Sequence, residues 1–110
     1  MHELLEELKS PFKEKFKSEV DITEITRFSV NLHKNAAVVV TNSYIYLLTK
    51  KLFRTNLKKV PLEELLEVVF EDEKIEFTTN VESVGLPVAT EKNSAVIKLA
   101  NKIKDINKAL

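Results

Sequence analysis

A chain of 110 residues, 44% hydrophobic and 31% charged, holds enough apolar side chains for one core and lies outside the composition range of disordered chains. Seventeen basic residues balance seventeen acidic ones, so no molecule-wide field draws it to nucleic acid or an anionic membrane, and any electrostatic function must be local. Cysteine is absent, which excludes disulfides, thiol nucleophiles and thiolate metal sites and suits a reducing compartment.

The first twenty residues predict helix. Leu4, Leu8, Phe12, Phe16 and Val20 recur every four residues and so share one face, and Leu5 widens the stripe. Ser10 and Pro11 read as an N-cap and first helical residue, because proline has no N–H to leave unsatisfied there. The expectation is two short helices that break near Ser10. Met1 to Lys9 carries Glu3, Glu6 and Glu7 and no long apolar core, which argues against a secretory signal.

From Asp21 the rhythm changes to period two. Thr26, Phe28, Val30 and Leu32 alternate with polar residues in a first strand, and His33, Lys34 and Asn35 supply a turn. Ala36 to Thr41 is apolar on both faces, the pattern of a strand covered from both sides. Tyr44 to Thr49 predicts a third strand, Lys50-Lys51 a turn, and Phe53, Thr55 and Leu57 the half-buried face of a fourth. The longest apolar stretch, Ala36 to Leu48, is too short and too interrupted to span a membrane, so a soluble, cytoplasmic protein is expected.

Val60-Pro61 breaks the run. Leu66, Val68 and Phe70, then Ile75, Phe77 and Thr79, predict a hairpin turning at Glu71-Asp72-Glu73. Val81 to Val88 is a weaker strand, since Gly85 and Pro87 point to a bulge or an edge. From Thr90 the helical period returns, with Val96, Leu99, Ala100, Ile103, Ile106 and Leu110 on one stripe. The expected organisation is one domain: a helical segment over 1–20, a β-sandwich over 21–89 and a capping helix over 90–110.

Seven short strands followed by one terminal helix is the element order of the pleckstrin-homology-like (PH-like) superfold. The segments Val38-Val39-Val40-Thr41-Asn42-Ser43-Tyr44-Ile45-Tyr46-Leu47-Leu48, Lys50-Lys51-Leu52-Phe53-Arg54 and Val60-Pro61-Leu62-Glu63-Glu64-Leu65 resemble the bacterial PH-like families. The resemblance runs from about Ala36 to Thr79. It implies an α+β, mainly β fold, a bent sandwich or partly open barrel of about seven antiparallel strands whose corner the last helix plugs. It also implies a binding or interaction module rather than an enzyme, and names no ligand.

No residue set reads as catalytic. His2 and His33 belong to no ligand-spaced group, one glycine cannot build a phosphate cradle, and no metal or other cofactor is called for. An enzyme would need a pocket that joins His33, Tyr44 and a carboxylate from distant parts of the chain. The run of acids from Glu63 to Glu76 lacks the spacing of a calcium loop and reads as solvated strand edges or the rim of a protein contact.

Local charge is more informative. Lys50 to Lys59 holds five basic residues and no acid, whereas Val60 to Glu82 holds eight acids and the single Lys74. Two readings of function follow. The leading one is docking of a protein partner, or self-association, through the stripe of Leu4, Leu8, Phe12 and Phe16, which otherwise covers one face of its own sandwich. The alternative is an anionic ligand or lipid headgroup bound at a basic loop end by His33, Lys34, Lys50, Lys51 and Arg54. Its competitor is a set of turn lysines that serve only solubility.

Overall fold

The computed structural model describes residues 4–106. His2 and the end of the predicted C-terminal helix, Leu110 included, lie outside them. Seven antiparallel strands form two sheets, and a helix follows the last strand, so the fold is α+β and mainly β. The four-stranded sheet runs in order through β1 (Thr26–His33), β2 (Ala36–Thr41), β3 (Tyr44–Lys51) and β4 (Arg54–Pro61). A short 3₁₀ turn, Leu62–Glu64, leads into the second sheet of β5 (Leu65–Glu71), β6 (Lys74–Thr79) and β7 (Ser83–Pro87).

The side-chain period of two sorts the first sheet into two faces, each with its own apolar core. Phe28, Val30, Leu32, Val38, Val40, Ile45, Leu47 and Val60 point inward, to Leu65, Val68, Ile75, Phe77 and Leu86 of the second sheet. Helix α2 (Asn93–Ile106), entered through a 3₁₀ turn at Thr90–Lys92, closes this core with Val96, Leu99, Ala100 and Ile103. Its Lys98, Lys102 and Lys104 are exposed. Ala37, Val39, Tyr46 and Leu48 face the other way and are just as dry, because helix α1 (Ser10–Glu19) lays Phe12 on them, with Leu8 and Phe16 beside it. The double-sided apolarity of Ala36 to Thr41 thus has its cover on each side.

The N-terminal segment departs from the sequence expectation. Among the described residues this segment holds one helix, not two, and residues 4–9 run along the outer edge of β1 instead. The Glu6 amide donates to the Ser29 carbonyl at 2.9 Å and the Ser29 amide to the Leu4 carbonyl at 2.7 Å, a parallel bridge at Leu5. Glu6 Oε1 accepts from the Asn31 amide, and Asn31 Nδ2 donates to the Glu7 carbonyl. These bonds satisfy edge groups that a helix over the same residues would leave open. The four-residue stripe is consequently divided, with Leu4 in the inter-sheet core and Phe12 in the outer one. Lys9, extended, precedes the helix without any side-chain cap.

Three strand assignments also shift. β3 runs on through Lys50 and Lys51, so the turn falls at Leu52-Phe53 and Phe53 leaves the predicted strand face for solvent. A register shift between Leu65 and Glu67 turns Leu66 outward, and Leu65 takes the buried place. β7 is a short edge strand with regular pairing to β6, so Gly85 and Pro87 mark an edge and not a bulge.

Candidate ligand-binding end of the sandwich

The β1–β2 and β3–β4 turns lie side by side. Ala36 pairs with Thr49 across β2 and β3, and the Lys50 amide donates to the Asn35 carbonyl at 2.9 Å, which ties one turn to the other. The predicted residues His33, Lys34, Lys50, Lys51 and Arg54 are thereby brought to one end of the sheet. His33 Nδ1 accepts from the Asn35 amide at 3.2 Å and is engaged in holding its own turn.

Lys34, Lys51 and Arg54 are exposed and Lys50 is half-buried. None of the four is ion-paired with another described residue, whereas Lys13, Lys58, Lys74 and Lys92 each have a carboxylate partner, Glu7, Glu82, Glu76 and Glu6 respectively. On the helix side of the β1–β2 turn a shallow groove of about 220 Å³ is lined by Lys9, Asn31, His33, Lys34, Glu91 and Lys92 among others.

The β3–β4 turn has two residues, since Lys51 and Arg54 are paired. Leu52 has φ 55°, the left-handed region that glycine or asparagine normally supplies in such hairpins. A leucine there costs about 1–2 kcal/mol. Leu52 is 89% exposed and Phe53 fully so. Sequence reading missed this turn because Leu-Phe carries no turn signal, and the lysines before it imitate one.

At the other end of the sheet the structure contains a polar cluster that the sequence reading did not single out. Glu24 accepts from Thr41 Oγ1 at 2.7 Å and from Tyr46 Oη at 2.7 and 2.8 Å, and Glu24 Oε2 accepts from the Asp21 amide at 3.1 Å. Asp21 Oδ1 in turn accepts from the amide and hydroxyl of Thr23. Asp21-x-x-Glu24 is the spacing of a capping box, a legible signal that closes a loop here instead of opening a helix. Burial pushes the Glu24 carboxyl up, but the hydrogen bonds from Thr41, Tyr46 and Asp21 and the Lys59 charge outweigh it and hold it below the usual range. The backbone and hydroxyl of Thr23 hold Asp21 low as well. Burial, then the bond to Glu24, pushes the Tyr46 phenol well up. An ionised carboxylate against a phenol held protonated makes a lock for the loop before β1, with neither group poised to exchange protons near neutrality. Lys59 Nζ sits 4.1 Å from the centroid of the Tyr44 ring on the same side.

His33 and Tyr44 stand at opposite ends of the four-stranded sheet, so the pocket that an enzyme would require of them is not formed. Among the described residues no three His, Cys, Asp or Glu side chains converge as metal ligands, and no helix is long and apolar enough to cross a membrane. Leu4 and Phe12 are each only 1% exposed and pack within their own chain, which leaves the exposed Leu5 and the half-buried Leu8, Phe16 and Val20 as the reachable part of the apolar stripe. Fold and site together define a small two-sheet β protein with four basic side chains at one end that are not ion-paired among the described residues. No family model, curated protein or solved structure matches the chain.

Proposed function

We propose that the chain is a PH-like, non-enzymatic binding module that takes an anionic, phosphate-bearing ligand at the end formed by the β1–β2 and β3–β4 turns. One observation carries this reading: four basic side chains, Lys34, Lys50, Lys51 and Arg54, are collected there by the Lys50–Asn35 backbone bond and have no described carboxylate partner. A lysine left unpaired keeps its full attraction for an incoming anion, whereas one already bridged must first give up its partner. Four strands, three strands and a terminal helix, in that order, support the PH-like assignment. Docking of a protein through the N-terminal stripe is less well supported, because that stripe is largely spent on the chain's own two cores.

Titration of the labelled protein with inorganic pyrophosphate, followed by amide NMR shifts, tests the reading. The expected perturbations centre on residues 33–35 and 50–54 and disappear in Lys50→Glu/Lys51→Glu. Shifts scattered over the surface, or unchanged in that variant, would overturn it.

A further inference from the structure

We infer that the Leu52-Phe53 turn is a bilayer-inserting tip, and that the anionic ligand of the basic end is the surface of a negatively charged membrane. This rests on the anion-binding reading above and names the form of the ligand.

Three features of the turn bring the isolated chain no stability, and the last two become favourable together at one kind of surface. Leu52 adopts a left-handed φ of 55° that a glycine would occupy without strain, so the side chain is retained at a conformational cost. Leu52 and Phe53 project two large apolar side chains into water at the apex of a hairpin, 89% and fully exposed, where neither packs on anything. Lys51 and Arg54 face each other as a cross-strand pair, and like charges directly opposite repel.

An aqueous anion relieves only the last of these. A folded protein partner of apolar surface relieves only the second. An anionic bilayer answers the apolar apex and the charged collar together: the apex enters the acyl boundary, while Lys50, Lys51, Arg54 and, from the neighbouring turn, Lys34 remain at the headgroup phosphates. The collar lies just behind the apex in the chain, and the decade from Lys50 to Lys59 contains no acid, whereas at the neighbouring turn Glu91 shares a groove with Lys34.

The chain has no tryptophan, so Phe53→Trp installs a single indole at the apex. The test uses the full chain with vesicles of equal parts phosphatidylcholine and phosphatidylserine, and with pure phosphatidylcholine vesicles. Co-sedimentation with the anionic vesicles alone, and a blue shift of the indole emission of Phe53→Trp on adding them, are expected. Leu52→Gly/Phe53→Ser relieves the strained turn, so it should melt at or above the wild-type temperature while its vesicle partitioning falls by at least about tenfold. Lys50→Glu/Lys51→Glu should weaken partitioning by about fivefold or more per lysine.

Wild-type affinity in Leu52→Gly/Phe53→Ser, with loss in Lys50→Glu/Lys51→Glu, would overturn insertion and leave the anion-binding reading standing. Unchanged partitioning in the lysine variant would overturn both. Equal binding to neutral vesicles would overturn the anionic surface as the ligand. No vesicle binding, together with self-association that Phe53→Ser abolishes, would overturn the membrane in favour of a second copy of the chain.

Discussion

Glu24 shows how one residue can hold a loop whose own apolar side chains, Ile22 and Ile25, are exposed. Its carboxylate accepts hydrogen bonds from Thr41, Tyr46 and the Asp21 amide, drawing β2, β3 and the loop before β1 to one point. Glu24→Gln keeps one acceptor oxygen but places an amide N–H₂ among groups that donate, and should destabilise the fold by about 1–3 kcal/mol. The dependence on pH has a definite sign. The folded carboxyl titrates below its ordinary value of 4.5, so its contribution is complete above that value and is lost as pH falls through the lower, folded value. Urea denaturation of the wild type and Glu24→Gln should show a gap at neutral pH that closes in acid; a gap of constant size would show that the charge is not what matters.

At the scale of elements, the strands were largely legible and the N-terminus was not. Ala36–Thr41 reads directly as a doubly covered strand, because a polar side chain on either face would have met an apolar neighbour. Leu4 and Leu5, by contrast, satisfy a helical period as well as an edge pairing, and the choice between them is made by Ser29 and Asn31, more than twenty residues away. The Leu52-Phe53 turn was illegible for a different reason: its strain lies in a backbone angle, and the residues that adopt it are not those that favour it. The basic end itself was legible as charge in the sequence, but only the pairing of the two turns makes it one surface. The division of the N-terminal stripe has a measurable consequence. Leu4→Ala empties a site in the inter-sheet core and should cost about 2–5 kcal/mol in urea unfolding, whereas Leu8→Ala, on a half-buried position, should cost about 1 kcal/mol. Equal costs would contradict the separate burial of the two leucines.

For the whole molecule, the balance of seventeen charges of each sign conceals an uneven distribution in which strand ends and turns differ in sign. The hairpin at Asp72-Glu73, with both residues at positive φ, presents acids at its tip, while the hairpin at Leu52-Phe53 is collared by bases. Any ligand approaching the molecule therefore meets a different charge at each hairpin, and the acidic one lies toward the β1–β2 turn, since the Glu73 carbonyl accepts from the Val88 amide and the Ala89 amide donates to the Leu32 carbonyl.

The two margins of the four-stranded sheet are also unlike. One is sealed by the segment from Leu4 to Lys9; the other, β4, pairs with β3 and with no other strand among the described residues. If two molecules joined margin to margin about a two-fold axis, each β4 would lie antiparallel to its own copy, and Arg54 and Lys59 would be brought against the same two cations, while Lys58 is already bridged to Glu82. The open margin is therefore guarded by its own sequence, at a place where only a strand of opposite charge would be admitted. Arg54→Thr/Lys59→Thr should remove that guard and shift the molecule toward concentration-dependent assemblies in light scattering, while the wild type under the same conditions keeps the mass of one chain.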